Sequence, residues 1–181
     1  LTGRNRAGWR PAGDTVGLRV STVIPRYNAA ETIERAVQSV INQTEPVAEI
    51  ILVDDASSDH TATVLQRIAE ANAHVHIINL PQNAGPSQAR NTGWDHASGN
   101  WVAFLDSDDA WHPDKIAIQL RAIRMFPGLA IIGHGCDIGE PGQSWADLST
   151  LDDATLADRI RPVGKWRFMV SNPWPTPSVM L

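Results

Sequence analysis

Four short apolar runs alternate with four segments of helical period between Val20 and Ile123, and that alternation sharply limits the folds open to this chain. Val20-Ser21-Thr22-Val23-Ile24 is rich in β-branched residues and stopped by Pro25, as a buried strand would be. Ile33, Ala36, Val37, Val40 and Ile41 then fall on one face of a helix expected over about 29–43. Ile50-Ile51-Leu52-Val53 reads as a second strand, ending at Asp54-Asp55. Val64, Leu65, Ile68 and Ala69 mark a second helix, with Ser58 or Asp59 available as its cap. His74 to Ile78 predicts a third strand, Ser87 to Ala97 a third helix and Trp101 to Leu105 a fourth strand. Ile116, Leu120 and Ile123 mark the fourth helix. Strands alternating with helices imply right-handed crossovers, hence an α/β fold with a mostly parallel central sheet and helices on both faces. Ligands of such sheets bind beyond the carboxyl ends of the strands, where strand order reverses.

Three of those ends carry polar motifs: Pro25-Arg26-Tyr27-Asn28, Asp54-Asp55-Ala56-Ser57-Ser58-Asp59 and Asp106-Ser107-Asp108-Asp109. An apolar strand that empties into clustered acids is costly unless a cation or hydrogen-bond donors lie there. Extended geometry would put Asp106 and Asp108 on one side and turn Asp109 away. Two oxygen donors at that spacing suit Mg²⁺ or Mn²⁺, ions that keep further positions for phosphates. The alternative is a solvated acidic turn capping the helix after Pro113. Convergence of all three motifs at one sheet edge favours a site. Asp55 can accept from an N–H of a base or sugar, or form a helix-capping turn with Ser57. Asn83-Ala84-Gly85 supplies a turn before a helix that carries Arg90, an arrangement favourable for phosphate. A surface ion pair is the other reading of Arg90. Tyr27, the one tyrosine, stands at the mouth of the first strand, able to cover a base or to serve as a rim aromatic.

A formal charge of -5 and the absence of a basic run argue against a nucleic-acid polymer as partner. The single cysteine, Cys136, precludes an internal disulfide, and no apolar run approaches a bilayer span. P-loop, dinucleotide-binding and nucleophile-elbow sequences are all absent. His74 and His76 share a strand face, and His134 and Cys136 alternate likewise, but neither pair has an evident third metal ligand. His112 reads as a loop residue beside the acids. Of seven tryptophans, Trp101 and Trp111 are expected to pack, while Trp145, Trp166 and Trp174 are available to stack on a sugar.

Four motifs stand in the order and spacing of family 2 glycosyltransferases, which the chain resembles over roughly 18–126. They are Ser21 to Asn28, Val53 to Asp59, Asn83-Ala84-Gly85 through Ala89-Arg90-Asn91, and Phe104 to Asp109. The resemblance implies the nucleotide-diphospho-sugar transferase fold called type A, and an inverting enzyme. It implies that Pro25 and Tyr27 line the base pocket, beside Asn28, and that Asp54-Asp55 supplies the contact to base or ribose, through Asp55. Arg90 would lie near the nucleotide. Asp106 and Asp108 correspond to the family's Asp-x-Asp motif, Asp108 as the metal ligand and Asp106 towards the ribose or the metal. The cofactor implied is Mn²⁺ or Mg²⁺. The partners implied are a nucleotide-diphosphate sugar, UDP-linked by family habit, and a saccharide or lipid-linked acceptor. A cytoplasmic protein is expected, with peripheral association at the membrane face open.

The expected organisation is a flexible leader over 1–17, a donor-binding part over 18–126, and an incomplete acceptor-side part over 127–181. Leu129 to Ile132 and Ser178 to Leu181 read as further strands and Leu151 to Ile160 as a short helix. The family's catalytic base is expected beyond Leu181, because Asp137, Glu140, Asp147, Asp152, Asp153 and Asp158 lack its context. Two other readings follow: a donor- and metal-binding fragment without turnover, or a sugar-phosphate nucleotidyltransferase. The latter normally has a Gly-rich basic loop where Pro25 to Ala30 stand.

Overall fold

A computed structural model describes residues 17–134, 144, 148 and 151–160. Four strands, β1 (Val20–Arg26), β2 (Glu49–Asp54), β3 (Val75–Asn79) and β4 (Trp101–Phe104), form one parallel sheet in the order β3-β2-β1-β4. The helices are α1 (Ile33–Ile41), α2 (Thr61–Ala71), α3 (Pro86–His96), α4 (Lys115–Met125) and α5 (Asp153–Arg159). The alternation therefore maps onto the parallel α/β sheet that it predicts. The leader, Cys136, Glu140, Trp145, Trp166, Trp174 and the strand expected at 178–181 lie outside the described residues.

Alternation along β1 and β2 divides the core between the two faces of the sheet. Ile24, Ile50 and Leu52 pack with Ile33 and Val37 of α1, Leu65 of α2 and Ile116 and Leu120 of α4. Val23, Ile51, Val53 and Phe104 face Ala89 of α3. Trp101 and Trp111 are buried in the first cluster, and Trp94 of α3 meets Phe104 edge-on with centroids 6.0 Å apart. Gly93 lets α3 lie close on the sheet, since a Cβ there would come within 2.4 Å of Val23 Cγ1.

Three expectations are corrected. Pro25 does not stop β1, which runs on to Arg26. Val23 accepts from Leu105 on the β4 side, so by alternation the N–H that Pro25 lacks also belongs to that side. Pairing with β4 has ended there, at Val23 and Phe104, and no ladder bond is lost. Among residues 129–132 only Ile132 forms an isolated bridge rather than a strand. Residues 29–32 are turn, not helix, so α1 begins at Ile33.

Candidate functional site

The chain moves outward from β1 to β2 to β3, then returns to place β4 on the other side of β1. The order therefore reverses between β1 and β4, and the loops after both strands rise at that crevice. The β2 loop stands directly beside them.

The ends of β1 and β2 are stapled together. Asn28 donates its backbone N–H to Ser57 Oγ at 2.9 Å and accepts from Ser58 N at 2.8 Å through Oδ1. Asp55 N donates to Arg26 O at 2.9 Å. Asn28 and Ala56 both have positive φ, 49° and 59°, a conformation that asparagine tolerates better than alanine. These bonds leave Tyr27 standing at the mouth, 49% exposed, while Pro25 beneath it is buried.

The two acids at the end of β2 are spent internally. Asp54 Oδ1 accepts from Ser57 N at 3.0 Å, and Oδ2 lies 3.6 Å from Arg26 Nη2. Arg26 is fully buried by its side chain, and its guanidinium nitrogens have no hydrogen-bond partner. Burial pulls its pKa down to about 10, with Asp54 and Asp59 acting in the opposite direction. Asp55 is 2% exposed and uses both oxygens on the loop before α3, accepting from Ala84 N at 2.7 Å and Gly85 N at 2.8 Å. Gly85, with φ of 87°, caps α3 just before Pro86 at its first turn. Asp55 thus ties the N-terminus of α3 to the crevice.

Arg90 extends from α3 to Asp106, its Nη2 2.5 Å from Oδ1. The acids after β4 depart from the expected extended geometry. The strand stops at Phe104, and Asp109 N donates back to Asp106 O at 3.1 Å, so Asp106 to Asp109 form a turn. Asp108 and Asp109 are exposed and Asp106 is half-buried. Burial, then the neighbouring Asp108 and Asp106, pushes the Asp109 carboxyl up, opposed by Arg35.

One feature that the motifs do not show is a polar rail along α1 and the residues just after it. Arg35 donates to the carbonyl of Asp108, Ser39 Oγ accepts from Trp111 N at 3.0 Å, and Gln43 donates to His112 O at 2.8 Å. Gln43 also accepts from Ile116 N at 3.0 Å. The spacing 35, 39, 43 is a helical stripe beside the apolar face, and that period was the available signal. Lys115 was likewise missed: it is buried, with Nζ 3.9 Å from the Trp111 ring centroid and 2.8 Å from Gln119 Oε1. His112 Nδ1 accepts from Asp114 N at 3.0 Å, which orients the loop. Asp152 caps α5 through Thr155 N at 2.7 Å, and Asp153 pairs with Arg121 at 2.6 Å.

Among the described residues no three His, Cys, Asp or Glu side chains are arranged around a common ion position. The carboxylates of the turn after β4 are hard oxygen donors, and a pair such as Asp106 and Asp108 is of the type that suits an ion completed by phosphate and water.

A family model described as glycosyl transferase family 2 matches residues 21–162. TuaG of Bacillus subtilis, a protein assigned as a teichuronic acid biosynthesis glycosyltransferase, is 42% identical over 113 residues, 62% of this chain and 42% of TuaG. WfgD of Escherichia coli, named a UDP-Glc:α-D-GlcNAc-diphosphoundecaprenol β-1,3-glucosyltransferase, is 37% identical over 127 residues, 67% of this chain and 49% of WfgD. The mannosyltransferase PcManGT of Pyrobaculum calidifontis, solved with GDP-Man and Mn²⁺, superposes with a TM-score of 0.57 at 26% identity, covering 75% of this chain and 40% of that one. The type A fold is shared with such structures. The chain spans about half, or less, of the length of these relatives.

Proposed function

This chain belongs to glycosyl transferase family 2, and from that membership we propose that its crevice binds a nucleotide-diphosphate sugar with a divalent cation and serves inverting transfer of the sugar to an acceptor hydroxyl. The observation that carries this reading is the meeting of the β1, β2 and β4 loops with Arg90 at the point where strand order reverses. Tyr27, exposed above buried Pro25, covers the base. Asn28 and Asp54 hold the floor of the pocket through the Ser57–Ser58 staple, and Asp55, buried with both oxygens on Ala84 N and Gly85 N, serves the nucleotide by fixing the loop before α3 rather than by touching base or ribose. Arg90 faces the diphosphate, and the N-terminus of α3 lies behind it. Asp108, exposed and acceptor-only, is the principal ligand for Mn²⁺ or Mg²⁺, with Asp106 as second ligand or ribose contact. When bound, such an ion neutralises the negative charge that grows on the diphosphate leaving group. Arg35 holds the acidic turn through the Asp108 carbonyl, and Ser39 and Gln43 anchor the loop that follows it at Trp111 and His112, which preserves the aim of the carboxylates.

The donors named for WfgD and PcManGT, UDP-Glc and GDP-Man, support a nucleotide sugar, and identity to WfgD favours UDP. Calorimetric titration of UDP, GDP and dTDP, with and without Mn²⁺ and repeated on Asp108→Ala, tests the reading. Binding that requires both metal and Asp108 is expected. Nucleotide binding indifferent to metal and to Asp108 would sink it. A second reading, donor binding without turnover, draws on Asp152 and Asp153 being spent on capping and pairing rather than left as a base. Sugar transfer by this chain to an added acceptor would dispose of that alternative.

A further inference from the structure

The cation and the diphosphate of the proposed site each call on a different member of one ion pair. Arg90 Nη2 lies 2.5 Å from Asp106 Oδ1, with the two side chains 23% and 30% exposed. Its Nε is shut off from solvent and has no hydrogen-bond partner. A shielded N–H without an acceptor is disfavoured, so the resting position of Arg90 on Asp106 is incompletely satisfied and the pair is open to exchange. Asp106 is in the complementary position. The oxygen that Arg90 occupies is one that a cation would need, and its neighbours Asp108 and Asp109 add negative charge to the same turn. Withdrawing Arg90 with nothing in its place leaves Asp106 on a turn with two further carboxylates, Asp108 and Asp109, and no paired cation.

We infer that Arg90 is an exchangeable counter-ion that couples the two ligands of the crevice: a nucleotide's diphosphate draws Arg90 off Asp106, and the freed carboxylate takes up the divalent cation. The inference rests on the donor-site reading above. Either ligand alone must break the Arg90–Asp106 pair, whereas both together break it once. Each therefore raises the affinity for the other, by linkage. Plain repulsion between Arg90 and a bound cation behaves differently. It weakens metal binding equally with and without nucleotide and leaves the coupling unchanged.

The experiment follows free Mn²⁺ by electron paramagnetic resonance, and UDP and GDP by calorimetry, each with and without the other ligand. It compares the 181-residue chain with Arg90→Met and Asp106→Asn. In Arg90→Met, Mn²⁺ alone is expected to bind about threefold or more tightly than in the unaltered chain, and the nucleotide–metal coupling factor to fall about fivefold. Asp106→Asn keeps the packing of Arg90, which guards against misfolding of the first variant. It is expected to bind nucleotide without metal more tightly, because Arg90 starts free. Unchanged coupling in Arg90→Met, or weaker binding of Mn²⁺ alone, overturns the inference while the donor site stands. An unaltered chain that binds neither nucleotide nor Mn²⁺ overturns the donor site and the inference together.

Discussion

The ends of β2 and β4 each present adjacent acids at the same edge of the sheet, yet their environments are opposite. After β2, Asp54 and Asp55 are buried; three of their four oxygens accept from Ser57 N, Ala84 N and Gly85 N, and the fourth lies 3.6 Å from the buried Arg26 guanidinium. After β4, Asp108 and Asp109 are exposed, Asp106 leans on one arginine, and partial burial followed by repulsion from Asp108 and Asp106 pushes the Asp109 carboxyl up. A carboxylate spent on backbone N–H groups builds structure. One held against like charge on a turn has capacity left for a ligand. The same residue type thus serves as scaffold on one strand and as ligand candidate two places away in the sheet.

The comparison is broken most sharply at Asp55. Asp55→Ala removes the acceptor of two N–H groups and is expected to cost about 2–3 kcal/mol, read as a lower urea midpoint. A loss near zero would mean that the β2 acids are as dispensable to the fold as those after β4. Glu49, at the opposite end of β2, provides a third environment. Burial pushes its carboxyl up, but hydrogen bonds from Ser21 and Ser98, helped by His76, outweigh that and hold it below its usual value. A lowered folded pKa means that the charged group stabilises the fold above the unfolded value of 4.5 and ceases to do so as pH falls through the folded value. Glu49→Gln should therefore cost about 1 kcal/mol at neutral pH. The two unfolding midpoints should approach each other in acid below that window. Ala56→Gly relieves the positive φ in the staple and is expected to stabilise by about 0.5–1 kcal/mol, visible as a raised Tm. Asp108→Asn sits at the small end: stability within about 0.5 kcal/mol of the original, despite the loss of metal-dependent nucleotide binding. A large drop in Tm for that variant would make Asp108 a structural residue.

Much of this was legible in the linear order of residues. Apolar runs and helical stripes located every element of the described sheet, because burial on both faces leaves few polar positions in a parallel strand. Termini moved where local chemistry intervened: Pro25 is tolerated because β4 has already peeled away, and α1 starts late because Ala29 to Thr32 close turns first. The acidic motifs were visible too, but not the division of labour among them. Nothing local distinguishes Asp55 from Asp108, since the donors that occupy Asp55 come from 29 and 30 residues away. Nothing local marks Lys115 for burial either; Trp111 and Gln119 enclose it only in the folded chain.

What the sequence determined by itself is therefore the class of fold, the edge at which polar motifs gather and the family whose spacing they share. Periodicity and motif order are properties of neighbours along the chain. Which acids are buried, which arginine faces Asp106 and which helix steadies the acidic turn were decided only by the tertiary structure. Those outcomes depend on strand order, which puts β4 beside β1, and on the close approach of α3 that Gly93 permits. Both bring together groups from distant parts of the chain, where desolvation and charge act on whatever the fold makes adjacent.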